Sequence, residues 1–342
     1  MQIVFTICSN NYLAQAKTLG DSLLKYNSDI KFIIGLCDEL YSEIDYSNFC
    51  DFEIIPFDKL PLTELGDMIN KYSIVELNTS IKASFFKYLI NLFPNCDKIY
   101  YLDPDIMVFS SIDILNGHLD ENDVILTPHV LYPICLDDKM PSENLFMMYG
   151  IYNLGFIGVK SKSENTLKFL DWWEERLVYR GHSDINNGFY VDQLWINLAP
   201  VYFSKVSILK ILGLNVAPWN LHERQIKMDS DGTFIMNDGL PLIFYHFSSY
   251  SFKKPQVLSN YFTRCTYENA SEVVKSIYTL YHDKLIENSV ERMSKIDYKF
   301  GKKPQPLPLR PSNFKRTVFL FIPPIFLTIY YHTKKFIMGN AF

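Results

Sequence analysis

A chain of 342 residues that is 48% hydrophobic and 15% aromatic, with 23 Tyr and 26 Phe, has ample material for a packed core. Its net charge of −5 removes any electrostatic reason to expect nucleic-acid binding. The six cysteines (Cys8, Cys37, Cys50, Cys96, Cys135, Cys265) form no CxxC pair, which argues against a zinc site and a disulfide framework and makes a reducing cytoplasm the simplest compartment.

In chain order, Gln2–Ile7 predicts a first core strand, since no basic run precedes it and polar Ser9-Asn10-Asn11 follows too soon for a signal peptide. Leu13–Tyr26 has helical spacing at Leu13, Ala16, Leu19, Leu23 and Leu24. Lys31–Cys37 and Phe52–Pro56 predict strands. Ile81–Phe93 predicts a helix with Thr79 or Ser80 as its cap. Lys98–Leu102 predicts a buried strand. This alternation points to an α/β fold with a mainly parallel sheet flanked by helices. Val124–Thr127 and Gly155–Val159 follow as strands, and Asn165–Val178 as a helix whose Trp172 and Trp173 suit packing. Phe234–Met236 and Leu242–Phe247, separated by Asn237-Asp238-Gly239, predict a hairpin. Ser271–Ser294 predicts an amphipathic helix, a helical C-terminal appendage to the sheet.

The tail differs in charge. Seven basic residues and no acidic ones fall in 301–342, leaving 26 basic against 38 acidic, or −12, on residues 1–300. Gly301–Pro311 carries four prolines and reads as an extended linker. Thr317–Tyr331 is almost wholly apolar, but it is shorter than the ~20 residues of a membrane span and is interrupted by Pro323-Pro324. With basic flanks it suits a segment lying on the inner membrane face, or one packed against protein.

The most informative run is Tyr101-Leu102-Asp103-Pro104-Asp105. Side chains at i and i+2 of an extended chain point the same way, and Pro104 holds Asp103 out of the helical region. Two carboxylates at a strand end suit a hard divalent cation, and the carboxyl ends of strands are where open α/β sheets bind ligands. On its own, Asp-Pro-Asp also suits a turn, and His246, in an apolar run, also suits a core position. A strand ending in DxD is further compatible with a phosphatase of haloacid-dehalogenase type.

Five pieces in order resemble one family. Asp103-Pro104-Asp105 is similar to the DxD motif of GT-A (Rossmann-like) glycosyltransferases, which use nucleotide-diphospho-sugars. Ser9-Asn10-Asn11-Tyr12, Tyr152-Asn153-Leu154-Gly155, Asp192-Gln193, and Tyr245-His246-Phe247 with Lys254-Pro255 resemble segments of glycosyltransferase family 8 and its bacterial relatives.

The resemblance implies a retaining transfer of a sugar, from a UDP-sugar foremost, to a glycan acceptor, and the basic, apolar tail points to a lipid-linked surface polysaccharide as that acceptor. It implies Mn²⁺ or Mg²⁺ at Asp103, Asp105 and His246. It also implies donor contacts at Thr6, Ser9, Asn10, Asn11, Lys82, Asp103, Asn153, Gly155 and Lys254, and a catalytic pair at Asp192 and Gln193. Two departures are visible: Phe86 stands where the family often has arginine, with Lys82 and Lys87 nearby, and Ser249 replaces an expected glycine. These leave open a non-catalytic sugar- or nucleotide-binding protein on the same scaffold. Trp219-Asn220-Leu221-His222 could border the acceptor, while His129 receives no role. The expected organisation is a catalytic domain over 1–265, an amphipathic helical region over 266–300 and the basic, apolar tail over 301–342.

Overall fold

The structure, a computed structural model, describes residues 1–49 and 51–301. Apart from Gly301, the linker and apolar segment expected over 301–342 lie outside the described residues. The first half runs β1 (Gln2–Cys8), α1 (Leu13–Tyr26), β2 (Lys31–Leu36), β3 (Glu53–Pro56), α2 (Leu65–Lys71), α3 (Ile74–Ser80), α4 (Lys82–Leu92), β4 (Lys98–Leu102), β5 (Ile106–Val108), α5 (Ile114–Glu121) and β6 (Val124–Pro128). There follow α6 (Glu143–Tyr149), β7 (Tyr152–Lys160), α7 (Glu164–Arg180), β8 (Ser183–Asp184), β9 (Phe189–Tyr190), α8 (Gln193–Ile196), α9 (Ala199–Tyr202) and β10 (Val206–Ile208). The last elements are β11 (Ile226–Met228), β12 (Phe234–Met236), β13 (Phe244–His246), α10 (Glu272–Glu287) and α11 (Val290–Met293).

Seven strands form the central sheet in the order β10-β6-β7-β4-β1-β2-β3. The paired strands run parallel except for β7, which is antiparallel to both β4 and β6. This is the mainly parallel α/β architecture expected from the alternation of strands and helices. Because side chains alternate across a strand, Val4, Tyr100 and Leu102 face a core shared with α1 and α10, while Ile3, Phe5, Ile99 and Tyr101 face one shared with α4 and α7. The described residues form one compact unit, and Val274, Ile277, Tyr281 and Leu285 of α10 belong to the same core as α1.

Several local expectations shift. The helix expected from Ile81 is preceded directly by α3, so neither Thr79 nor Ser80 caps it. Thr79 instead donates its hydroxyl back to the Val75 carbonyl within α3. The true start is a capping box: Ser73 Oγ accepts from Glu76 N–H, and Glu76 accepts from Ser73 N–H at 2.8 Å. Asn237-Asp238-Gly239 does turn the chain, with Gly239 at φ 81° and Met236 N–H bonded to Leu240 O. However, β12 pairs with β11, and β13 leaves to pair with β5, so the two runs do not form the full hairpin. The C-terminal helix breaks at Ser289, where φ is 62°.

Glu76 is buried and also accepts from Ser183 N–H at 2.7 Å, so one carboxylate serves two segments. Glu76→Ala orphans both N–H groups and is expected to cost about 2 kcal/mol. Urea unfolding checks this against Glu164→Ala in the exposed first turn of α7, expected within about 0.5 kcal/mol.

Candidate active site

The site forms where three chain segments end or begin at one edge of the sheet. β1 and β4 are parallel neighbours, so Ser9 and Asp103 emerge at the same edge. β7 is antiparallel to β4, so its first residues, Tyr152 to Gly155, start there. Asp103 N–H donates to Gly155 O at 2.8 Å. Beyond the aspartates, β5 pairs with β13 so that Ile106 faces His246, and Phe247 N–H donates to Asp105 O. His246 Nε2 thereby lies 3.1 Å from Asp105 Oδ1 and 3.8 Å from Asp103 Oδ2.

Gly155 makes room for this. A Cβ there would sit 2.4 Å from His246 Cε1, closer than any side chain tolerates. Donor atoms of Asp103, Asp105 and His246 all fall within 4.8 Å of one another. Two hard carboxylates and one imidazole are a donor set that fits a divalent cation such as Mn²⁺. Burial pulls the His246 pKa down, but the charge and hydrogen bond of Asp105, with Asp103 behind, carry the balance upward. Tyr101 donates its hydroxyl to Asp103 Oδ1 at 2.6 Å and holds that carboxylate in place.

These residues wall a cavity of about 630 Å³, large enough for a sugar. Asp192 also lines it, buried and ion-paired with Lys82 at 2.6 Å. Asp192 precedes α8 but caps nothing; its carboxylate turns to Lys82 instead. The preceding Val191 has φ 38°, a costly conformation for a β-branched residue, held by its N–H bond to His182 O. Lys82 also donates to Leu154 O at 2.9 Å, rests 4.0 Å from the Tyr101 ring centroid and lies 3.9 Å from Asp103. Phe86, at the expected arginine position, packs edge-to-face on Phe5 in the core. Lys82, one helical turn earlier, therefore puts its cation into the site, whereas Lys87 pairs with Asp171 and Glu174 on α7. Burial raises the Asp192 pKa, and Lys82 opposes that rise.

Asn153 and Gln193 line the same cavity. Gln193 Oε1 accepts from Leu154 N–H at 3.1 Å, and its Nε2 donates to Tyr149 O at 2.9 Å. The other donor-side residues sit beside the cavity rather than on its wall. Thr6 is fully buried in β1, and Asn10 is buried with bonds to Glu39 O and the Tyr46 hydroxyl. Ser9 donates to Asn11 Oδ1 at 2.6 Å. Lys254 is exposed in the loop after β13, away from the cavity wall.

Sequence reading missed His129, Tyr149, Tyr190 and Asn215. His129 lines the cavity, buried, and burial pushes its pKa down to about 4, so it is neutral. Its place just after β6, at the ligand-binding edge, was the available signal. Tyr149 and Tyr190 pack edge-to-face on the rim. Trp219 stands over His246, ring centroids 5.2 Å apart.

An α/β fold whose strand ends bring two carboxylates and an imidazole to one wall of a cleft is the class that the fold and site define. The chain belongs to glycosyl transferase family 8, whose model matches residues 3–191, and the protein is a glycosyltransferase. It is similar to the Bacillus subtilis (strain 168) protein named "Uncharacterized protein YfnF", 24% identical over 298 residues that cover 86% of this chain and 95% of that protein. The crystal structure of the galactosyltransferase LgtC with donor and acceptor sugar analogs is 17% identical, covering 83% of this chain and 95% of that one, with a TM-score of 0.47. The glycosyltransferase GlyE of Streptococcus pneumoniae TIGR4 is 17% identical, covering 86% of this chain and 65% of that one, with a TM-score of 0.45. Among the described residues no helix is long and apolar enough to cross a membrane.

Lys82→Met leaves Asp192 buried without its cation and is expected to cost about 3 kcal/mol at neutral pH. The sign with pH follows from the raised pKa. Between the ordinary carboxylate value of about 4 and the raised one, the folded variant binds more protons than the unfolded chain, so its stability falls as pH rises. Denaturant melts of the variant from pH 4 to 7 should show that fall, and Lys82→Met with Asp192→Asn should flatten it.

Proposed function

We propose that this glycosyltransferase moves a sugar from a nucleoside diphosphate donor, UDP-sugar foremost, to a glycan or lipid-linked acceptor, with retention of anomeric configuration, in surface-polysaccharide synthesis. The observation that carries the reading is the convergence of Asp103, Asp105 and His246 on the wall of a cleft that also holds Asp192 and Gln193. In the transfer, the bond from the anomeric carbon to the diphosphate breaks, with its electron pair leaving on the phosphate. A bond from the acceptor hydroxyl oxygen forms, and that hydroxyl's proton goes to the departing phosphate oxygen.

Asp103, Asp105 and His246 would hold the cation, Mn²⁺ in preference to Mg²⁺ because one donor is nitrogen. When bound, such an ion neutralises charge on a diphosphate leaving group. Asp192 faces the sugar as a buried carboxylate, oriented by Lys82, and can hold a sugar hydroxyl or offset positive charge at the anomeric carbon. Gln193, pinned by Leu154 N–H and Tyr149 O, presents a fixed dipole beside it. Of the expected base and ribose contacts, Asn11 alone is more than slightly exposed, while Thr6, Ser9 and Asn10 are buried and would act by shaping the loop after β1; Asn153 and Gly155 would shape the floor. Lys254, exposed in the loop after β13, would hold a phosphate as a point charge. Trp219 and Tyr190 offer flat faces to an acceptor sugar. Residues 1–265 form the catalytic body and 266–300 its helical support. Residues 301–342 would contact the cytoplasmic face of a membrane through basic and apolar side chains.

UDP, GDP, dTDP and CMP titrated with and without Mn²⁺ should show Mn²⁺-dependent binding of UDP, with sugar transfer lowered at least about 100-fold in Asp103→Asn. Binding of none of them in Mn²⁺ overturns the donor assignment. Deleting 301–342 should shift the protein from the membrane to the soluble fraction, and unchanged partition removes the membrane contact.

A further inference from the structure

Asn215 lies between β10 and β11, fully buried, with φ 53°. Its side chain faces the ring edge of His246 opposite the aspartates: Oδ1 is 3.3 Å from Nδ1. Its Nδ2 lies 3.0 Å from Asn153 Oδ1 and 2.9 Å from Thr127 Oγ1.

An amide side chain could be placed either way round on shape alone, but here the backbone decides. Gly155 N–H can only donate, and it points at one end of the Asn153 amide at 3.1 Å, which must therefore be the carbonyl oxygen. The Asn215 atom facing that same oxygen must then be the NH₂ group. What remains for His246 is the Asn215 carbonyl oxygen, an acceptor. Nδ1 of His246 must carry a hydrogen to meet it.

The other side of the network agrees. Asn153 Nδ2 donates to Gln193 Oε1 and to His129 Nε2, whose ring passes its own hydrogen to Ile151 O at 3.1 Å. All four bonding positions of the Asn153 amide thus have protein partners. The segment carrying Asn215 is itself clamped. The buried Arg224 guanidinium donates to the carbonyls of Leu212 and Leu214, and Asn220 Nδ2 donates to Asn215 O at 3.0 Å.

We propose that Asn215 is the positioning residue of the cation site: its carbonyl oxygen holds the hydrogen on His246 Nδ1 and so leaves the Nε2 lone pair for the ion between Asp103 and Asp105. The inference rests on the metal reading above and extends it to a residue that touches neither ion nor substrate. Gly155, already needed for space, supplies through its N–H the reference that orients the whole chain of amides. A partner of this kind on a metal-binding histidine typically changes metal affinity 10–100-fold.

The test is Mn²⁺ affinity of the full chain without donor, read by electron paramagnetic resonance of free ion. Asn215→Gly keeps the left-handed backbone and removes the acceptor, and it should weaken Mn²⁺ at least about 10-fold. Asn215→Asp keeps the backbone tolerance and an acceptor oxygen for Nδ1 but loses the NH₂ group that meets Asn153 and Thr127, so it should bind Mn²⁺ less tightly than wild type and more tightly than Asn215→Gly. Equal affinity in Asn215→Gly and wild type overturns the proposal, as does an Asn215→Asp variant as weak as Asn215→Gly. Wild type without Asp103-dependent Mn²⁺ binding overturns the metal reading instead. Should Asn215→Gly fail to fold, long-range ¹H–¹⁵N spectra of the wild-type histidines decide. His246, assigned by its loss in His246→Gln, should carry hydrogen on Nδ1, and a bare Nδ1 overturns the proposal.

Discussion

The site depends on the hydrogen bond from Asp103 N–H to Gly155 O. It ties the end of β4 to the start of β7 at the point where one strand must finish and the other must begin. Parallel strands alone would deliver only carboxyl ends to this edge. The antiparallel β7 adds an amino end, so that Asn153 and Gly155 meet Asp103 and Asp105. The same glycine, lacking a side chain, lets the His246 ring pack against the strand. One backbone position thus supplies a strand pairing, a space and, through its N–H, a direction for the neighbouring amides.

The polar groups around the cleft are costly to bury, and the amide network among them is anchored on backbone partners that cannot change role. Backbone N–H groups of Leu154 and Gly155 donate, and the backbone carbonyls of Tyr149 and Ile151 accept. Between these anchors Gln193, Asn153, His129 and Asn215 have one consistent arrangement. A network satisfied throughout rigidifies its surroundings, which suits a site that must hold reacting groups in place.

Charge is balanced in the same economical way. Lys82 is buried among Asp192, Asp103, the Leu154 carbonyl and the Tyr101 ring. Burying an unpaired ammonium or carboxylate is prohibitive, so the two must enter the core together. This explains why Phe86 can stand where the family often has arginine: the cation comes from one turn earlier on α4, and the vacated position is absorbed into the aromatic core around Phe5. The strained backbone at Val191 belongs to the same arrangement, since it immediately precedes Asp192 as the chain enters α8.

Much of the fold was legible in the sequence, because β1, α1, β2, β4 and α7 announce themselves through hydrophobic periodicity, a property of neighbouring residues. The Asp-Pro-Asp run was legible as two carboxylates close together at a strand end, but the chain turns there, with Ile106 N–H bonded to Asp103 O, rather than running on extended as expected. The capping box Ser73–Glu76 was written there too, but was overlooked beside the stronger apolar run after Ile81. What the sequence by itself determined was therefore local: strands, helices, a paired carboxylate and a family pattern. Only the tertiary structure decided that β13 leaves its turn to pair with β5 and set His246 beside Asp105, that Lys82 rather than Lys87 faces the cleft, and that Asn215 lies behind the histidine. Those pairings join residues far apart in the chain, and they are chosen by strand register and by burial of charge, which no local pattern encodes.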